Sequence, residues 1–193
     1  VSGRTSSAHE RAALYTIGHS TRPIEAFLAL LEAHGVEKLV DVRTIPRSRH
    51  NPQYDQPALR ESLKAAGIRY EHIRELGGLR HGRPASPNTG WTNASFRGYA
   101  DYMGTSHFRD ALRRLEAGGR ERPVAIMCAE GFLARCHRSL IADALIVDGW
   151  RVLEIQSRKT AKLHRRTPFL RVRDGRLVYP APRVRGGRGR PSR

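Results

Sequence analysis

Both cysteines of the chain fall in one short segment, Cys128-Ala-Glu-Gly-Phe-Leu-Ala-Arg-Cys136-His-Arg-Ser139. The apolar run Pro123-Val-Ala-Ile-Met127 precedes it, and a helix-forming run from Leu140 to Gly149 follows. A strand ending in a thiol and a carboxylate, before a new helix, is where open α/β sheets place their chemistry. Free amides and the positive dipole at the helix start favour an anion there, so Cys128 is expected to have a lowered thiol pKa and to act as nucleophile. The plainer alternative is a small apolar core residue, and Cys136 could simply pack under the helix.

Three further groups in the segment bear on proton and anion handling. Glu130 could serve as general acid or base if apolar neighbours such as Phe132 raise its pKa, or it could pair with Arg135 as an ordinary loop carboxylate. His137 could carry a proton, and Arg138 could grip an anion with its planar fork. Cys128, Glu130, Cys136, His137 and His19 are also plausible metal ligands. Seven residues separate the cysteines and no CxxC pair occurs, so the spacing matches no common structural zinc site.

Positioning such groups requires a sheet. Leu14–Gly18, Leu39–Arg43, Ile68–Ile73, Val124–Met127 and Trp150–Ile155 read as strands, and helical spacing of apolar residues separates them. The alternation predicts an α/β fold: a mainly parallel five-stranded sheet with helices on both faces, of rhodanese-like or flavodoxin-like layering. A C-terminal hairpin is expected around Asp174-Gly175. Residues 13–180 would form one domain, with a flexible segment over 1–12 and a disordered basic tail over 181–193. If the first, second and fourth strands lie side by side, their trailing loops bring His19, Ser20, Asp41, Arg43, Arg47, Cys128, Glu130, Cys136, His137 and Arg138 into one cleft.

In that cleft Asp41, an acid among apolar neighbours, is expected to orient a partner such as Arg43. His19 is either a catalyst or a hydrogen-bonded structural group. Ser20, Arg43, Arg47 and Arg138 would bind substrate. Tyr99, with Phe96 and Tyr102, could stack on bases or form the buried face of a helix. Residues 74–93, rich in Gly and Pro, read as a long loop of the functional or mobile kind, able to close over a displaced nucleotide.

Lys and Arg number 35 against 18 Asp and Glu, a formal net charge of +17, and only four of the basic residues are Lys. The last thirteen residues hold five arginines and no acid, yet the remainder is basic by itself. Such a balance favours nucleic acid or a phosphorylated small molecule, although an arginine-rich proteome gives the same composition. No run of eighteen apolar residues and no signal-peptide core is present, so a cytoplasmic protein with reduced thiols and no membrane association is expected.

Thr16-Ile-Gly-His-Ser20, Val40-Asp-Val-Arg43, Pro46-Arg-Ser-Arg-His-Asn-Pro52, Leu76-Gly-Gly78, Phe96-Arg-Gly-Tyr99, Cys128-Ala-Glu130 and Cys136-His-Arg-Ser139 together resemble the bacterial and archaeal domain of unknown function family 488. The resemblance implies a compact cytoplasmic α/β protein whose shared polar residues coincide with the cleft above. A looser similarity to rhodanese-type sulfurtransferases rests on the Asp-Val-Arg strand and on Cys128 followed by Arg138-Ser139. The loop is longer than a rhodanese loop and carries Glu130 and a second cysteine. These readings lead to an enzyme, thiol-based or metal-assisted, acting on a phosphate-bearing substrate by base repair or modification. Its rivals are a non-enzymatic nucleic-acid-binding protein, rhodanese-like sulfur transfer and a metal-dependent enzyme. The cofactor is left open.

Overall fold

The computed structural model describes residues 13–182, so the expectations for residues 1–12 and for the tail from 183 lie outside the described residues. Five strands run parallel: β1 (Ala13–Gly18), β2 (Lys38–Asp41), β3 (Arg69–His72), β4 (Val124–Cys128) and β5 (Arg151–Ile155). A sixth, β6 (Ala161–Leu163), adds antiparallel to β5, giving the order β3-β2-β4-β1-β5-β6. The sheet therefore has one strand more than the sequence predicts. β6 is a three-residue edge strand among basic residues, too short and too exposed to leave a hydrophobic pattern.

Alternation along the strands sorts the core into two halves. Ile17, Leu39, Ala125 and Met127 face α1 (Ile24–Ala33) and α2 (Gln56–Ala65), meeting Phe27, Leu31, Leu59 and Leu63. Leu14, Val40, Val124 and Ile126 face the other way, toward α3 (Ala94–Met103), α4 (Ser106–Glu121) and α5 (Arg138–Val147). Each fully buried Leu or Ile in these layers contributes about 2 kcal/mol relative to an exposed one. α5 is the most enclosed helix, buried continuously from Arg138 to Leu145, which explains its apolar run.

Beyond the sheet, β7 (Arg171–Arg173) and β8 (Arg176–Val178) form the expected hairpin. Asp174 and Gly175 both have positive φ, 50° and 70°, as a two-residue type I′ turn requires. Asp143 on α5 secures this region by accepting from the Tyr179 hydroxyl (3.1 Å), His164 Nε2 (3.1 Å) and the Thr167 amide (3.0 Å). No helix among the described residues is long and apolar enough to cross a membrane.

The segment from Arg74 to Asn93 opens with a short 3-10 helix over Arg74–Leu76, is otherwise irregular as predicted, and is tied to α3 by hydrogen bonds. Asp101 on α3 accepts from the Arg83 amide (2.9 Å), the Ser86 hydroxyl (2.6 Å) and Asn88 Nδ2 (2.8 Å). Asn88 Oδ1 in turn accepts from the Tyr179 amide (2.9 Å). The loop also presses on α3, where a Cβ at Gly98 would lie 2.3 Å from the Arg80 carbonyl oxygen. These contacts hold the loop against α3 and the Tyr179 backbone in this structure.

Candidate functional site

β2, β4 and β1 are neighbours in the sheet, so their carboxyl ends and trailing loops lie side by side. The backbone joins them directly: the His19 amide donates to the Cys128 carbonyl (3.0 Å), Ser20 to Ala129 (2.9 Å) and Val42 to Met127 (2.9 Å). Only glycine fits at 18, because a Cβ there would sit 2.0 Å from the Glu130 carbonyl oxygen where the cysteine loop crosses β1. Adjacent strand ends do not make one cleft, however. Successive residues of a strand point to opposite faces, and the predicted site residues divide accordingly into two clusters.

The first cluster lies toward α1 and α2. Asp41 is fully buried and holds Arg43 through Nε (2.9 Å) and Nη2 (2.6 Å), while Tyr70 donates its hydroxyl to the same carboxylate (2.9 Å). Arg43 Nη2 also reaches the Tyr54 carbonyl (2.8 Å). Asp41 orients Arg43 through Nε and Nη2, while Arg43 Nη1 is buried without a hydrogen-bond partner among the described residues. His19 stacks on the Tyr54 ring at 4.0 Å and donates Nδ1–H to the Ser20 carbonyl (2.8 Å). Burial, followed by the nearby Arg43 and Arg138 charges against the favourable pull of Ser20 and Asp41, holds its pKa down at about 4. The imidazole is neutral and enclosed, and its Nε2 is buried without a hydrogen-bond partner among the described residues. Ser20 adopts a left-handed backbone (φ 52°) against the cysteine loop. Arg47 is exposed on the loop after β2, outside both clusters.

The second cluster lies toward α3 and α5 and contains the sulfur atoms. Ligand atoms of Cys128, Cys136 and His137 all lie within 4.8 Å of one another. His137 donates Nε2–H to the Val42 carbonyl (3.1 Å), which turns Nδ1 toward Cys136 Sγ at 3.7 Å. Its ring rests 5.1 Å from that of Tyr99, whose hydroxyl is held by the Leu76 carbonyl (2.7 Å). Tyr99 is 1 % exposed, so it supports His137 and offers no face for stacking on a base.

Arg138 has zero exposure, and its fork is fully used inside the protein. Nε donates to Cys136 Sγ (3.4 Å), Nη1 to Thr16 Oγ1 (2.8 Å) and Nη2 to the Glu130 carbonyl (2.5 Å). Among the described residues it has no carboxylate partner, so a thiolate at Cys136 is the group that balances its charge. The Cys136 thiol is held well below its ordinary value, chiefly by the neighbouring Cys128 thiol, against burial and with help from His137 and Arg138. Cys128 is pushed up, because Cys136 beside it and burial both disfavour a second negative charge. The expected activation of Cys128 is thus reversed: the anion-stabilising groups gather on Cys136. Arg138 likewise acts on sulfur and backbone, not as an open anion fork.

The thiols open on a pocket of about 280 Å³ lined by Gly78, Leu79, Phe96, Ala129, Glu130 and Arg135 together with Tyr99 and the cluster itself. Glu130 stands at its rim, Oε1 accepting from the Phe132 amide (2.9 Å). Phe132 is 68 % exposed and does not wall in the carboxylate, and Arg135 lies over the Phe132 ring instead of pairing with Glu130. Leu79, which also lines the pocket, is 78 % exposed and has φ of 58°. Sequence reasoning missed Thr16, Tyr54, Tyr70, Leu79 and Arg135. Thr16 and Gly78 stand in the recognised motifs without an assigned role, Arg135 reads in the sequence only as a partner for Glu130, and Tyr54, Tyr70 and Leu79 left no signal of type or spacing.

The chain matches the family described as Domain of unknown function DUF488 over residues 23–145 and belongs to it. No curated protein and no solved structure matched the chain.

Proposed function

We propose that this DUF488-family protein is an enzyme whose reacting centre is the Cys128, Cys136 and His137 cluster. The observation that carries this reading is the convergence of two thiols and a tautomer-fixed imidazole on the floor of an accessible pocket. A thiol–imidazole pair of this kind generates a nucleophile and carries its proton. Cys128 faces the substrate, Cys136 and His137 exchange the proton, and Glu130 at the rim is the second acid or base. Arg138 and Thr16 position Cys136.

Arg43 and Arg138 are buried and do not line the pocket, so Arg135 and the exposed arginines supply the phosphate contact. The substrate we favour is a nucleotide or nucleic acid whose base enters between Leu79 and Phe96, in a base repair or modification reaction. Of the two layerings, we favour the rhodanese-like one, because the order β3-β2-β4-β1-β5 differs from the 2-1-3-4-5 of flavodoxin-like sheets. The rhodanese likeness itself draws no support from the comparisons. We place the protein in the cytoplasm, where its two free thiols stay reduced.

Incubation with oligonucleotides and nucleotides, followed by mass spectrometry of the products, tests this reading. Cys128→Ser should abolish conversion and shift the melting temperature by no more than about 3 °C, the scale of a mild surface change. Conversion that survives the substitution removes the thiol from the chemistry. A second reading, a non-enzymatic nucleic-acid binder, is favoured by the +17 charge. It predicts salt-sensitive binding with no product from any substrate.

A further inference from the structure

We propose that Cys128, Cys136 and His137 bind one zinc-type divalent ion through three protein ligands, leaving a fourth position open to the pocket. The inference rests on the reading of this cluster as the reacting centre and changes what its residues do there: with the ion bound, Cys128, Cys136 and His137 are ligands, and the reacting group is the one at the open position. Donor type comes first: two sulfurs and an imidazole nitrogen are the set that selects borderline-soft divalent metals. Separation comes second. Bonds of about 2.3 Å to thiolate and about 2.0 Å to imidazole place two such ligand atoms about 3.6 Å apart in a tetrahedron. Cys136 Sγ and His137 Nδ1 are 3.7 Å apart, and the full set lies within 4.8 Å.

The surroundings add two independent features. His137 spends its Nε2–H on the Val42 carbonyl, the arrangement that orients metal-bound histidines and leaves Nδ1 as ligand. Gly78 keeps the space beside that nitrogen clear, since a Cβ there would lie 3.0 Å from Nδ1. Three ligands with one open position are the hallmark of a catalytic rather than a structural zinc site, and here the open side faces the pocket lined by Leu79, Phe96 and Ala129. Two thiolates cancel the charge of the ion, and the buried Arg138 guanidinium adds a positive charge beside it. The fourth position would take water or a donor group of the substrate, and the Arg138 charge favours an anionic one.

The test uses the full chain, untagged, reduced with a non-chelating phosphine and freed of metal, then titrated with cobalt(II) and competed with zinc. The expected result is one equivalent of cobalt, with thiolate-to-cobalt charge-transfer and tetrahedral d–d absorption that zinc abolishes. Cys136→Ser and His137→Ala should each weaken cobalt binding by about 100-fold or more. Gly78→Ala, which changes no ligand, should weaken it by about tenfold, within the range for groups that support a ligand. The Gly78 variant keeps the test decisive should a ligand variant fail to fold. A parent protein with both thiols titratable and no cobalt absorption overturns the proposal, while Cys128-dependent turnover in that metal-free protein would leave the thiol enzyme standing. One bound equivalent together with turnover unaffected by Cys128→Ser supports the metal site and removes the Cys128 thiol from the chemistry instead.

Discussion

Two buried residues control whether the sulfur cluster exists at all. Gly18 lets the cysteine loop cross β1, and Gly18→Ala drives a methyl group into the Glu130 carbonyl 2.0 Å away. Backbone faces backbone there, so no side chain can swing aside, and the expected loss is about 2 kcal/mol or more in urea unfolding. An unchanged midpoint would show that the loop has another course. Arg138 ties Cys136, Thr16 and the Glu130 carbonyl to one guanidinium. Arg138→Met leaves those acceptors unpaired in the interior and should cost about 3 kcal/mol. Arg138→Lys should recover little, because a point charge with rotating donors cannot reach three fixed acceptors. Full recovery by lysine would mean that charge alone matters.

Elements decide which residues meet. Asp101 on α3 gathers Arg83, Ser86 and Asn88, so Asp101→Ala should release the stretch from Arg80 to Thr89. Native-state hydrogen exchange would show protection there falling by tenfold or more, roughly the loss of one net hydrogen bond or greater, while β4 stays protected. Unaltered protection would mean that packing on Gly98 suffices. On α4, Glu116 accepts from Trp150 Nε1 (2.8 Å), and burial outweighs that bond and raises its pKa above 4.5. Between 4.5 and the folded value the native state binds more protons than the unfolded chain, so stability falls as pH rises through that window. Glu116→Gln keeps the acceptor and removes the charge. It should raise the melting temperature near pH 7 and change it little near pH 4; a rise of equal size at both would exclude charge as the cause. The strands and the hairpin were legible because their residues alternate or run apolar between Gly and Pro. The meeting of Cys128, Cys136 and His137 followed from their placement around one strand end. What could not be read was the face: His19, Asp41 and Arg43 sit at the right edge, yet a one-residue offset sends them to the α1 and α2 side. Tyr54 and Tyr70, which receive them, are far away in sequence and look like ordinary core aromatics.

At the scale of the whole molecule, charge and pocket have separable consequences. A net charge of +17 predicts single-stranded DNA affinity that falls with salt, with a log–log slope of about −2 or steeper at about 0.7 per neutralised phosphate. Fluorescence anisotropy across salt concentrations measures it, and a flat response would exclude a polyanionic partner. The pocket claim is independent of that slope, since Arg135 is the arginine that lines the cavity. Its most direct test is a two-dimensional amide NMR titration of the reduced protein with nucleoside monophosphates. Shifts should concentrate at Gly78, Leu79, Phe96, Ala129 and Glu130, and Cys128→Phe, which fills the cavity, should abolish them. Perturbations confined to the exposed arginines, with those five amides unmoved, would contradict the assignment of the sulfur pocket as the functional site.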